Sequence, residues 1–354
     1  MEEPMKSLVF IATCLSLAAG LCFAQATPGA DDTRAPQHPR QDPFIKRPFD
    51  PTLNGQWVGN AVCYGPHRDG QHPDGTQPSR DQLLEDLHIM GRHWSMIRMY
   101  GAGEGTETVL ELIKEHGLPM KVVVGAWIAT EERLDEAGNV VERFPDTAAN
   151  NKAQVAYAIR LANAYPDLVA AITVGNETQV FWSFHKVRTP TLINYIRQVR
   201  AETTVPVSTA DVSTHWALPE SKPLADELDF IVTHIYAMWN QQQLDNAMAW
   251  TKEQYAAGLA QHPEHQFVIG EAGWATTRMR EGEQANYILG VANEDNQKQF
   301  HDDFVAWATE EKIPNFFFEA FDENWKGGDH PDEVEKHWGL YYADRTPKKA
   351  LSAE

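Results

Sequence analysis

Eight short apolar runs recur between residues 57 and 321, and most are separated by a loop and an amphipathic stretch. They are Trp57–Tyr64, Met96–Tyr100, Lys121–Trp127, Leu168–Gly175, Val205–Ala210, Leu228–Tyr236, Gln266–Gly270 and Asn315–Phe321. Several are continuous rather than alternating, as in Val122-Val123-Val124 and Phe316-Phe317-Phe318. A strand covered on both faces needs apolar residues on both, so a continuous run marks a parallel sheet. Segments 79–92, 106–116, 147–165, 189–202, 242–261 and 295–311 read as helices, the third with Asp146 as its N-cap. Eight such units over about 300 residues predict an α/β fold, a single (β/α)8 TIM barrel. A doubly wound sheet is the competing topology, but no Gly-x-Gly-x-x-Gly follows the first run. In a barrel the chemistry gathers at the C-terminal ends of the strands.

The barrel is expected over residues 52–354, behind two segments of different character. Residues 7–24 form one apolar run behind Lys6, followed by Ala24-Gln25-Ala26. This reads as a signal peptide over 1–24 with a small-residue cleavage site, the alternative being an uncleaved anchor. A lipoprotein signal is disfavoured because Leu21 precedes Cys22 where a small residue is expected. Residues 25–51 carry Pro28, Pro36, Pro39, Pro43, Pro48 and Pro51 among polar residues and read as a Pro-rich flexible tether. No other apolar run approaches the roughly 20 residues that span a bilayer. The expected product is a secreted monomer, periplasmic or extracellular, with no membrane attachment after signal cleavage. Cys14 and Cys22 lie in the leader, so Cys63 stands alone and no internal disulfide forms.

The formal net charge is −20, and loss of residues 1–24 with Glu2, Glu3 and Lys6 leaves −19. A nucleic-acid-binding surface needs clustered Lys and Arg, so nucleic acid is excluded as a partner. The same balance argues against polyanionic glycans and anionic lipid, which leaves a neutral substrate.

The fourth run continues through Gly175-Asn176-Glu177-Thr178, and the seventh through Gly270-Glu271-Ala272-Gly273-Trp274. Each delivers a glutamate to the lip of the barrel. One glutamate at a strand end is most often a loop cap or half of an ion pair. Two, at strands four and seven and each beside a glycine, suit glycoside hydrolysis, where one carboxyl protonates the departing oxygen and the other attacks or activates water. Asn176-Glu177-Thr178 also matches the N-glycosylation pattern, a coincidence at a barrel lip.

These two stretches resemble glycoside hydrolase family 17, in a bacterial-type secreted form. Val62-Cys63-Tyr64-Gly65 resembles that family's first strand, Ile97-Arg98-Met99-Tyr100 its second, and Phe318-Glu319-Ala320-Phe321-Asp322-Glu323-Asn324-Trp325-Lys326 its eighth and following loop. Gly339-Leu340-Tyr341 resembles its closing segment, so the likeness spans roughly 57–351. Ala272 and Ala275 depart from the Thr and Pro often found around the nucleophile of plant members. The resemblance implies retaining action on neutral β-1,3-glucan, with Glu177 as acid/base and Glu271 as nucleophile. It implies that Asn176 holds the 2-hydroxyl of the reacting sugar and that Tyr236 orients Glu271. Glu177 must then be protonated at rest and Glu271 ionised, with Arg98 as the cation that keeps it so. Glu323, Lys326 and Glu335 match a charged group the family carries after strand eight, expected to bind sugar hydroxyls or to hold the network as ion pairs.

Sugar rings stack on aromatic faces, and Trp127, Trp182, Trp216, Trp239, Trp274, Trp325, Tyr64, Tyr100 and Phe181 lie near strand ends. Trp274 and Trp127 are the foremost sugar contacts expected, against the alternative that a barrel this size buries its tryptophans for packing. The 14 histidines show no metal-ligand spacing, and His67 and His72 fall in a loop rich in Gly and Pro. No metal or cofactor is expected, and no Gly-x-Ser-x-Gly supports a serine hydrolase. Two other functions stay open: a β-1,3-glucan transglycosylase and a glucan-binding protein without turnover. The second would be expected to have lost one carboxylate. Endo or exo action depends on loops 128–146, 275–294 and 326–337.

Overall fold

The computed structural model describes residues 37–135, 137–180, 182–183 and 185–352. The expected signal peptide, the first part of the expected tether and Phe181 lie outside these residues. Eight parallel strands close into a barrel in sequential order. They are β1 (Asn60–Cys63), β2 (Met96–Met99), β3 (Lys121–Ala126), β4 (Val169–Asn176), β5 (Val207–Val212), β6 (Ile231–His234), β7 (Phe267–Ala272) and β8 (Asn315–Phe317). The ring closes where Phe316 of β8 pairs with Ala61 of β1. Each falls within or overlaps a run read from the sequence, because valine- and phenylalanine-rich runs can satisfy both the helix layer outside and the packed interior.

The main helices Arg80–Met90, Glu104–His116, Pro145–Ala164, Thr189–Glu202, Leu244–Gln261 and Glu294–Glu310 cover the barrel. Ser79 caps the first in a reciprocal capping box with Gln82. Asp146 is not an N-cap. Pro145 opens its helix, Phe144 takes the cap position, and Asp146 lies in the first turn, where its charge suits the helix dipole. Between β3 and this helix the chain forms a hairpin, Glu132–Leu134 with Val140–Arg143, which stands on the C-terminal face. No described helix is long and apolar enough to cross a membrane.

The tether expectation fails over residues 43–51. Phe49 is buried and stacks on Phe230, ring centroids 5.0 Å apart. Its backbone N–H donates to the Gln266 side chain, whose amide donates back to the Phe49 carbonyl. Arg47 reaches Asp229 through its backbone N–H and the carbonyls of Val205 and Arg200 through its guanidinium. Phe44 lies between the guanidinium groups of Arg40 and Arg200. The segment is a strap across the N-terminal edges of β5, β6 and β7. Proline excludes helix but not burial, and one buried Phe contributes about 1.5–3 kcal/mol by itself.

Candidate active site

Two irregularities in the barrel aim the glutamates. Between the pairs Thr173↔Ser208 and Asn176↔Ala210 the register of β4 slips by one residue, and Gly175 there has φ +81°. A bulge with a residue in this region favours glycine. Glu177 follows with φ +49°, a conformation that costs a non-glycine residue about 1–3 kcal/mol. Its backbone N–H donates to the Ala210 carbonyl at 2.8 Å, which holds the turn. On β7 the register slips between Ile269 and Glu271, with Gly270 as the extra residue. A Cβ on Gly270 would lie 2.3 Å from Cγ1 of Val232. The first bulge precedes Asn176 and Glu177 and the second Glu271, and the two glutamates converge at the mouth of the barrel.

There the two carboxylates meet. One oxygen of Glu177, one of Glu271 and a ring nitrogen of His234 all lie within 4.8 Å of one another. Glu271 is buried and richly donated to. Oε1 accepts from Nη1 of Arg98 at 2.8 Å and from the Tyr100 hydroxyl at 2.9 Å, and Oε2 from the Tyr236 hydroxyl at 2.7 Å. Burial pushes the Glu271 carboxyl up, but the polar groups around it, the Arg98 guanidinium and the hydrogen bond from Tyr236 among them, outweigh it and hold it below its ordinary value. Arg98 is itself wholly buried on β2, and Nη2 donates to Oδ1 of Asn176 at 2.6 Å. One guanidinium thus orients both the charged carboxylate and the amide beside Glu177. Glu177 is half-buried, and Oε1 lies 2.8 Å from Nδ1 of His234.

Glu177, His234 and Glu271 together have donor types that a divalent ion accepts. The Arg98 guanidinium already occupies the charge-neutralising position beside Glu271, so we assign no metal to them.

Of the residues named from sequence, Glu177, Glu271, Asn176, Arg98, Tyr100 and Tyr236 come together at this point. Trp127 stands on the lip, 37% exposed, its ring tilted against His185 at 4.8 Å. Two others need correction, and Glu323 and Lys326 take the second of the two roles expected for them, as ion pairs of the network. Tyr64 is buried and its hydroxyl donates to Asp86 behind the sheet, so it does not face the cleft. Trp274 is wholly buried against Phe300, and its indole N–H donates to the Val291 carbonyl. Its ring points outward into the helix layer, the packing alternative weighed above. Glu323 is buried, with Oε1 accepting from the Trp325 indole and Oε2 paired with Lys326. The three ammonium hydrogens of Lys326 face both oxygens of Glu319 and one of Glu323, so Lys326 binds the network rather than open cleft. Burial disfavours the charge on Lys326, yet Glu319 and Glu323 together raise it well above its usual range. Burial likewise raises Glu319, while Lys326 and His67 hold Glu323 well below the carboxylate range despite its burial.

His234, Glu319, His185 and Asp211 were not singled out from sequence. His234 is wholly buried at the end of β6. A histidine inside the apolar run Leu228–Tyr236 was the available signal. His185, beneath Trp127, faces the Asn176 carbonyl through Nε2 at 2.7 Å. Asp211 on β5 is buried and accepts from the backbone N–H of Gln179, two residues past Glu177. Glu335, half-buried after β8, is raised to about 8 by burial and then by Glu333.

Two carboxylates this close at the C-terminal lip of a (β/α)8 barrel, one ionised by a buried arginine, define a glycosidase. The chain belongs to the family described as the BtgE/BtgC glycoside hydrolase domain, whose model matches residues 61–339. It is 27% identical over 291 residues to the glucan 1,3-beta-glucosidase of Arthroderma benhamiae, covering 78% of this chain and 86% of that protein. It is 28% identical to the putative glucan endo-1,3-beta-glucosidase btgC of Aspergillus niger, covering 77% of this chain but only 40% of that longer protein. Among solved structures, an endo-laminarinase from Formosa superposes with TM-score 0.70 at 24% identity, covering 83% of this chain and 86% of that one. A glycoside hydrolase family 17 β-1,3-glucanosyltransferase from Rhizomucor miehei gives TM-score 0.64 at 22% identity, covering 82% and 96%. The family 17 resemblance seen in the sequence agrees with the family named for the Rhizomucor enzyme, with which this chain shares the fold.

Proposed function

We propose that the protein cleaves β-1,3-glucan with retention of anomeric configuration, Glu271 acting as nucleophile and Glu177 as acid/base. The observation that carries this reading is the short separation of one oxygen from each carboxyl, within 4.8 Å. Retaining pairs sit about 5–5.5 Å apart, whereas inverting pairs leave about 6.5–9.5 Å for a water. The asymmetry of the pair supports the roles. Glu271 receives three hydrogen bonds to its two oxygens and is held ionised. Attack on the anomeric carbon would form a glycosyl ester at Glu271 while Glu177 protonates the departing oxygen. Water then cleaves the ester with Glu177 as base. With Oδ1 of Asn176 bound by Arg98, the amide offers its N–H2 to the 2-hydroxyl of the reacting sugar. The linkage follows from the relatives, which are named for 1,3-beta-glucan. The reaction as written needs no cofactor.

Two variants test the roles. Glu271→Ala should lower kcat on laminarin by more than about 10⁴-fold and be rescued by azide, which replaces the nucleophile. Glu177→Ala should spare aryl glycosides with good leaving groups far more than laminarin, because these need no proton. Equal loss on both substrate types would reverse or refute the assignment. A transglycosylase is the second reading, favoured by the likeness to the Rhizomucor glucanosyltransferase. Longer products from laminari-oligosaccharides at high concentration would establish it. We also propose export by the apolar leader as a monomer, checked by N-terminal sequencing and light scattering of the secreted protein.

A further inference from the structure

His234 touches both carboxylates, and the mechanism above gives it no task. Its ring lies against Gly270, where a Cβ would sit 3.1 Å from Cδ2 and 3.2 Å from Nε2. Nδ1 is 2.8 Å from Oε1 of Glu177, and Nε2 is 3.4 Å from Oε1 of Glu271. Nε2 is buried without a closer hydrogen-bond partner. A neutral imidazole has one N–H and one lone pair. A lone pair on Nε2 would face the Glu271 oxygen to which Arg98 and Tyr100 donate, an oxygen rich in negative charge. A hydrogen on Nε2 makes that contact attractive. Nδ1 then turns its lone pair on Glu177. A contact of 2.8 Å between that lone pair and a carboxyl oxygen is favourable only when the oxygen carries a proton.

We propose that His234 is a positioning residue that links the protonation of the two glutamates: while Glu271 is charged, Nε2–H faces it and Nδ1 keeps a proton on Glu177. The inference rests on the roles proposed above. As the glycosidic bond breaks, the proton shared by Glu177 and Nδ1 passes to the departing oxygen, and Glu271 bonds to the anomeric carbon. Glu271 is then a neutral ester. Glu177 is a carboxylate facing the lone pair of Nδ1, and this repulsion makes it the stronger base. It takes a proton from the incoming hydroxyl as the ester bond breaks, which restores the first state. Asp211, Glu335 and His185 also lie near Glu177 or the pair, but none touches both carboxylates.

The tautomer is directly measurable. In ¹⁵N spectra of the wild-type protein labelled at histidine, the His234 signals are identified by their loss in His234→Asn. Nε2 should be protonated and Nδ1 bare in the free enzyme. Trapping Glu271 with a 2-deoxy-2-fluoro-laminaribiosyl fluoride should shift both signals. A free enzyme with Nδ1 protonated, whether neutral or cationic, overturns the proposal. Kinetics give a second readout. His234→Asn should lower kcat/KM on laminarin about 10- to 100-fold, and on a dinitrophenyl glycoside by less than about 5-fold. Equal losses would mean that His234 only supports the fold, and would also overturn it. The tautomer is read without turnover. Failure of Glu177 as acid in the Glu177→Ala test is therefore distinct from failure of the link through His234.

Discussion

At the scale of single residues, the aromatics separate by where their strands point them. Trp127 is exposed on the lip and Trp274 is buried in the helix layer, although both follow barrel strands. Trp127→Ala should raise KM for laminari-oligosaccharides about 10-fold with a smaller change in kcat, since stacking helps ground and transition states alike. Trp274→Ala should instead cost about 3–5 kcal/mol of stability, read as a fall in melting temperature. Asp211 gives a pH prediction. Burial above all pushes its carboxyl up to about 8. A carboxyl that titrates higher in the folded chain than in the unfolded one binds its proton more tightly when folded. Stability from this group is therefore full below its unfolded value, about 3.9, and is lost as pH rises toward 8. Asp211→Asn should flatten the fall in melting temperature between pH 5 and 9. An unchanged slope would show that Asp211 is ionised throughout. The sequence made Glu177, Glu271 and Arg98 legible because each stands at a strand end beside a recognisable neighbour. It did not reveal that Tyr64 turns toward Asp86 or that Glu323 lies beneath Gly65, since both depend on partners from other elements.

At the scale of elements, the eight strands were readable because continuous apolar runs have few other uses in a chain of this composition. The strap was not. Residues 43–51 have too few apolar side chains to predict burial, and their partners Asp229, Phe230 and Gln266 lie far along the chain. The strap is nonetheless part of the fold. Phe49→Ala should destabilise the protein by about 3 kcal/mol, a drop of several degrees in melting temperature, with kcat on laminarin little changed at 25 °C. Deleting residues 37–51 should cost more. A deletion without thermal effect would return the segment to the status of a tether. The hairpin Glu132–Leu134 with Val140–Arg143 leaves no mark in the sequence for a related reason. It is short and mostly exposed, so it has no run of apolar residues to mark it.

At the scale of the whole molecule, charge and site chemistry agree. The chain carries −20 overall, and the ionised Glu271 at the mouth is balanced by one buried arginine. A polyanionic glycan would approach against that field, whereas a neutral glucan meets no such barrier. Rates on laminarin should change less than about 2-fold between low and high ionic strength, because no charge on the substrate is there to be screened. Alginate and pectin should not be cleaved. Cleavage of alginate, or products of inverted configuration, would remove the electrostatic argument and the retaining mechanism together.

The strap bears on the order in which this chain can become itself. It is made before any barrel strand, yet its backbone contacts to Asp229 and Gln266 span 182 and 217 residues of sequence. Closing loops of that length is entropically costly, and the surfaces it needs do not exist until β6 and β7 have joined the ring. A segment synthesised before every barrel strand is therefore among the last to dock. Until then Phe44 and Phe49 have nowhere to go, and the nascent chain carries its own exposed apolar signal that the barrel is unfinished. Docking withdraws that signal and fastens the edges of β6 and β7 to residues that precede β1.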